Sequence, residues 1–224
     1  MVIFNLVLIK CRFRMTVIAL SLLSISISAI AIASDTGAGK DIYTSTCVAC
    51  HGIAADGNDA VGAPALAGQH QSYLARQLAN YNQAIRGSDK ADRYGQQMVA
   101  MATLVKTPES QANVSAYLAS LDKPITSVTS EKTGGGNSLG YKVYQASCGA
   151  CHGSDASGNE RLNSPSLAGL SSAYLTRQYA NFMDGKRGVH STDKYGRQMN
   201  MIAKTVTEPE KIDAVIAYIV SLQD

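Results

Sequence analysis

Tryptophan is absent from the 224 residues, and beyond residue 33 there is no apolar run long enough to cross a bilayer. The first absence limits the core that a small domain can build from its own side chains. The second leaves the body of the chain without a spanning helix. Net charge is lacking as well. The formal excess of +3 is accounted for by Lys10, Arg12 and Arg14, in a leader with no acidic residue. The remainder is neutral and gives no reason to expect a nucleic-acid partner. No stretch carries a convincing strand pattern. No Gly-Lys-Ser/Thr follows the glycines at 134–136, which excludes a phosphate-cradling loop. Cysteine is sparse, with one of five (Cys11) in the leader and the others in two close pairs.

The leader has the layout of an export signal. Its basic residues precede an apolar run from Met15 to Ala33 that ends in Ala31-Ile32-Ala33, the small-x-small pattern of a signal-peptidase site. Cleavage after Ala33 is expected. Met15 offers an alternative start, and retention as a membrane anchor is the competing reading. The mature chain is then exported, to the periplasm of a Gram-negative cell. Cysteines in such a compartment commonly form disulfides, but the residue after each pair argues otherwise.

What is present is a duplication. Shifted by 101 residues, the sequence lies on itself from Tyr43 to Leu121 without an insertion. Cys47, Cys50 and His51 fall on Cys148, Cys151 and His152. Pro64 falls on Pro165, Leu66-Ala67-Gly68 on Leu167-Ala168-Gly169, Arg76-Gln77 on Arg177-Gln178, and Met98 on Met199. The expected organisation is a domain at 34–121, a Gly/Ser/Thr-rich linker at 122–140, and a second domain at 141–224. Each reads as all-α. Thr107-Pro108-Glu109 has the cap, proline and early acid of a helix start. Val114, Tyr117, Leu118 and Leu121 then recur at helical spacing. A second helix is expected from Ser72 to about Ile85, with its counterpart from Ser172, and a shorter one leads into each cysteine pair.

Cys47-Val48-Ala49-Cys50-His51 and Cys148-Gly149-Ala150-Cys151-His152 are C-x-x-C-H motifs, the pattern of covalent haem attachment. Two thiols on one turn add to the two vinyl groups of one porphyrin, and the adjacent histidine faces the iron. A zinc site would need a second ligand pair in each copy. A thioredoxin-like site would need a βαβ setting. Neither is present, so two covalently bound haem c groups are expected.

A methionine in the sixth position favours electron transfer, whereas an open position permits small-molecule chemistry. The duplication filters the candidates. Met101 falls on Ile202, Met201 on Ala100 and Met183 on Asn82, and only Met98 and Met199 pair, each in a Tyr-Gly-x-Gln-Met frame. His51 with Met98 and His152 with Met199 are therefore the expected iron ligands. His70 and His190 have no counterparts and are expected as exposed loop residues, with bis-histidine ligation as the alternative. An axial histidine needs a carbonyl for its outer nitrogen. Pro64 and Pro165 are candidates for it, and simple turn-shaping is the alternative. Arg76, Arg177, Tyr94 and Tyr195 are candidates to hold haem propionates, with plain surface positions as the alternative.

These segments, in this order and twice in tandem, resemble the diheme cytochrome c4 family over essentially the whole mature chain. The resemblance implies two class I cytochrome c domains related by a pseudo-twofold, with haems edge to edge across a polar interface. It also implies a periplasmic location, loose membrane association, and partners that are redox proteins: a quinol-oxidising complex as donor and a terminal oxidase or reductase as acceptor. The function expected is an electron carrier, not an enzyme. The alternatives are an electron-transfer subunit of a dehydrogenase, such as the partner of a sulfide-oxidising flavoprotein, and a diheme peroxidase. The matching methionine frames count against the peroxidase.

Overall fold

Each half begins with a short capped helix that feeds directly into its cysteine motif. In the computed structural model, which describes residues 34–124 and 138–222, the Asp35 carboxylate accepts from Gly37 N and Ala38 N at the start of α1 (Thr36–Ile42). A π-helical turn (Tyr43–Cys47) and the single turn α2 (Val48–His51) follow. In the second half Ser138 caps α6 (Leu139–Ser147), which runs into α7 (Gly149–His152). The export leader and residues 125–137 of the expected linker lie outside the described residues.

The remaining helices come in matched pairs. They are α3 (Gln71–Asn82) with α8 (Ser172–Met183), α4 (Arg93–Ala102) with α9 (Lys194–Ala203), and α5 (Pro108–Ala119) with α10 (Pro209–Ser221). Thr107 caps α5 as expected, its hydroxyl accepting from Ser110 N at 3.1 Å. The helix expected to reach Ile85 stops at Asn82. The chain turns away there because Ala84 adopts a left-handed conformation (φ 53°), which a continuing helix does not allow. Helices α4 and α9 carry Met98 and Met199, and each has a glycine inside its first turn. Among the described residues there is no strand, only the isolated bridges Asn58–Ala63 and Asn159–Ser164. No described helix is long and apolar enough to cross a membrane.

Two small cores result. One gathers Tyr43, Ala55, Leu74, Val105, Val114 and Leu118, and the other Tyr144, Leu175, Val215, Ile216, Tyr218 and Ile219. Each forms where the first and last helices of a half cross. Gly39 and Gly140 sit at these crossings. A Cβ at Gly39 would strike the Asn113 carbonyl and come to 2.9 Å from Tyr117 Cβ. A Cβ at Gly140 would strike the Ala214 carbonyl and come to 2.8 Å from Tyr218 Cβ. Backbone cannot yield as a flexible side chain does, so Gly39→Ala and Gly140→Ala should each destabilise by about 1–3 kcal/mol. Chemical denaturation followed by circular dichroism measures this. An unchanged midpoint for both would show that the crossings are looser than described.

Candidate functional site

The cysteine motifs are built around a buried histidine whose outer nitrogen is already assigned. His51 and His152 are each 5 % exposed. The Nδ1 of His51 lies 2.9 Å from the Pro64 carbonyl oxygen, and that of His152 lies 2.9 Å from the Pro165 oxygen. A carbonyl only accepts, so Nδ1 carries the proton and Nε2 keeps its lone pair. Burial lowers the pKa of both rings, while the proline carbonyl pulls the other way. The result at neutral pH is a neutral imidazole held in one tautomer, the form that binds a metal. Pro64 and Pro165 thus supply the carbonyl as well as shaping the loop.

A tyrosine fixes the other end of each motif. Tyr43 and Tyr144, both wholly buried, donate to the Gly52 and Gly153 carbonyls at 2.5 and 2.6 Å. Gly52 and Gly153 each have φ 82°, a conformation that lets the chain leave the histidine sharply. Burial raises the pKa of both phenols, so they remain donors. The duplication paired these tyrosines, although sequence alone gave them no role.

The thiols are free, with Cys47 and Cys148 half-buried and Cys50 and Cys151 exposed. Burial foremost, helped by the neighbouring Cys50 or Cys151, pushes Cys47 and Cys148 up to about 11. That is the reverse of the lowered thiol of a redox dithiol site. Among the described residues no three His, Cys, Asp or Glu side chains cluster to hold a metal. A metal here would have to draw on the histidine, a sulfur and a ligand framework of its own.

The methionines are placed by a buried cap. Asp92 and Asp193, 3 % and 7 % exposed, accept from Gly95 N and Gly196 N and start α4 and α9. On α4, Gly95, Met98 and Ala102 share one stripe, of which Gly95 and Ala102 are buried and Met98 half-buried. Gly196, Met199 and Ala203 repeat it on α9. Met101 and Met201 face outward at 38 % and 61 % exposure. His190 is exposed, while His70 is half-buried at the start of α3, against Gly158.

Between the halves lies a reciprocal polar cluster. Arg86 donates to Gln77 Oε1 of its own half (2.6 Å), and to Gln178 Oε1 (2.9 Å) and Tyr174 Oη (3.2 Å) of the other. Arg187 donates to Gln178 (2.6 Å), and across to Gln77 (3.1 Å) and Tyr73 (3.2 Å). Both guanidiniums are buried, at 5 % and 7 % exposure, and none of these acceptors is a carboxylate. Buried cations of like sign that share two amide oxygens call for anions. The buried donors without a partner point the same way. Among the described residues they include Arg86 Nε, the Nε atoms of Arg76 and Arg177, and the Nδ2 atoms of Asn80 and Asn181, with the Ser115 hydroxyl the remaining unpartnered group. A planar apolar cofactor with two carboxylates, bound through thioethers and a histidine, fits this donor set.

Sequence reasoning offered Arg76 and Arg177 to those carboxylates. Their outer nitrogens bridge the halves, while each Nε has no protein partner. Arg76 donates to Asn163 and stacks 4.6 Å from the Tyr195 ring centre. Arg177 donates to the Gly62 carbonyl and stacks 4.3 Å from that of Tyr94. Arg86 and Arg187 were missed, although they too coincide under the 101-residue shift.

A family model for cytochrome c matches residues 37–122 and again 138–223. The thiosulfate dehydrogenase electron acceptor of Thiomonas intermedia is 32 % identical over 176 residues, covering 74 % of each chain. Cytochrome c4 of Thiocapsa roseopersicina is 27 % identical over 194 residues, covering 84 % of this chain and 93 % of that one. The crystal structure of reduced recombinant cytochrome c4 from Pseudomonas stutzeri aligns with a TM-score of 0.66 at 25 % identity, covering 84 % of this chain and 98 % of that one.

Proposed function

The chain belongs to the cytochrome c family, as a diheme electron carrier of the cytochrome c4 kind, and we propose that His51 with Met98 and His152 with Met199 are its axial ligand pairs. Cys47 and Cys50 hold one of its two covalently bound haems, and Cys148 and Cys151 the other. The observation that carries this reading is the repeated Cys-x-x-Cys-His turn with its histidine Nδ1 bound to a proline carbonyl. When bound, each haem supplies a one-electron Fe(III)/Fe(II) couple, whose potential methionine ligation raises.

The protein's own part is to fix that couple and shield it. The proline carbonyls orient the imidazoles, the capped helices α4 and α9 present the methionines, and Arg86 and Arg187 pair with propionates at the boundary between the halves. Matching ligand frames leave neither site designed to open, which favours a carrier over a peroxidase. The apolar leader and its small-residue site support an exported, periplasmic location. A quinol-oxidising donor and an oxidase or reductase acceptor suit such a carrier. The Thiomonas relative, named as an electron acceptor of thiosulfate dehydrogenase, favours a second reading in which a substrate-oxidising dehydrogenase is the donor.

A redox titration of the purified protein with spectra of both states tests the carrier reading. Two one-electron waves with low-spin spectra in both states are expected. A single wave, or a high-spin haem in either state, would contradict it.

A further inference from the structure

The two halves match closely at their histidines and differ at what stands behind them. Gln69, 6 % exposed, reaches from the first half to Ser166 of the second. Its Nε2 donates to the Ser166 carbonyl at 2.9 Å, and its Oε1 accepts from Ser166 N at 2.9 Å. Ser166 N belongs to the same peptide group as the Pro165 carbonyl, and that carbonyl accepts from His152 Nδ1. One continuous chain therefore runs from the Gln69 amide, through the 165–166 peptide, to the imidazole.

The duplication places Leu170 where Gln69 stands and Ala65 where Ser166 stands. Leu170, Ala65, Gln69 and Ser166 line one small cleft of about 10 Å³ between the halves, so the two positions occupy equivalent places. A leucine side chain carries no amide oxygen for the Ala65 N–H. Among the described residues the chain of polarised bonds exists on one side only.

We propose that Gln69 is a positioning residue for the other half's haem, lowering the reduction potential of the C-terminal site relative to the one it would have with leucine there. An amide whose N–H is engaged has a more negative carbonyl oxygen, because hydrogen bonds in series polarise one another. The Pro165 oxygen then draws the Nδ1 proton of His152 more strongly, which makes the ring a better electron donor to the iron and favours the ferric state. Asymmetry between two identically ligated haems then arises from one side chain crossing the interface. This rests on His152 being the axial ligand.

The test exchanges the two residues. Gln69→Leu should raise the C-terminal wave and leave the N-terminal wave in place. Chaining strengthens a bond by about 10–30 %, so the expected change is small, about two- to fourfold in the ferric-to-ferrous ratio at fixed potential. The double variant Gln69→Leu, Leu170→Gln should move the two waves in opposite directions, the C-terminal up and the N-terminal down. In unmodified ferrous protein, the His152 Nδ1 proton should resonate further downfield than that of His51. That measurement does not depend on any variant folding. Both waves unmoved, both moved together as by a loosened interface, or matching Nδ1 proton shifts would overturn the proposal. Loss of histidine coordination in the spectra of the unmodified protein would instead overturn the ligand assignment beneath it.

Discussion

Met98→Ala should remove about half of the weak near-infrared sulfur-to-iron band of the oxidised protein, Met199→Ala should remove the other half, and Met101→Ala and Met201→Ala should leave the band whole. Position on the helix is the reason. A residue three after Gly95 and four before Ala102 lies on the stripe that α4 turns inward, and Gly95 and Ala102 are both buried. Met101 lies off that stripe and is 38 % exposed, and Met201 on α9 is 61 % exposed. Each methionine ligand raises its iron's potential, so each loss should also carry one redox wave, and only one, to a markedly lower potential. Absorption spectra of the four variants, read with their titrations, measure both effects. Loss of the band in Met101→Ala, with its retention in Met98→Ala, would mean that α4 presents a different residue and that equivalence under duplication is a poor guide to ligation.

The second large effect concerns attachment. A chain with Cys148→Ala and Cys151→Ala should carry one covalent haem instead of two, and its C-terminal half should lose protease resistance while the N-terminal half keeps its own haem. Each half has only about 80–90 residues, too few to bury a generous core, and chains of that size lean on a staple or a cofactor. The core of the second half, from Tyr144 to Ile219, is gathered at one helix crossing. His152 and the unpaired Asn181 amide are buried without other partners for the groups they offer a cofactor. Limited proteolysis with mass analysis of the fragments reads the outcome. Retention of two haems, or uniform protection of both halves, would show that the thiols are dispensable.

Much of this was legible in the sequence because the chain is written twice. Coincidence under the shift separated Met98 and Met199 from the other methionines, and the 13-residue spacing from histidine to proline led to the carbonyl that orients each ring. The same register held Asp92 with Asp193 and Arg86 with Arg187. Their roles stayed hidden because a buried cap or a guanidinium shared across a boundary depends on burial, which a sequence pattern does not carry. Arg76 and Arg177 show the converse. A fork suited to carboxylates is equally suited to a carbonyl and a tyrosine ring, and the neighbouring half supplies these to the outer nitrogens while each Nε has no protein partner. Helix ends were also obscure, since the stop after Asn82 rests on the backbone of Ala84, a residue with no turn signal of its own. The contact between Gln69 and Ser166 was the least visible. It breaks the duplication, so a filter built on equivalence discards it.

The central claim is that this chain carries two haems through thioether bonds at Cys47–Cys50 and Cys148–Cys151. The most direct test is the intact mass of the isolated polypeptide after denaturation and acid–acetone extraction. The account predicts a mass above that of the polypeptide by two haem groups, with no haem in the extract. Haem in the extract, or the addition of one group or none, would contradict it.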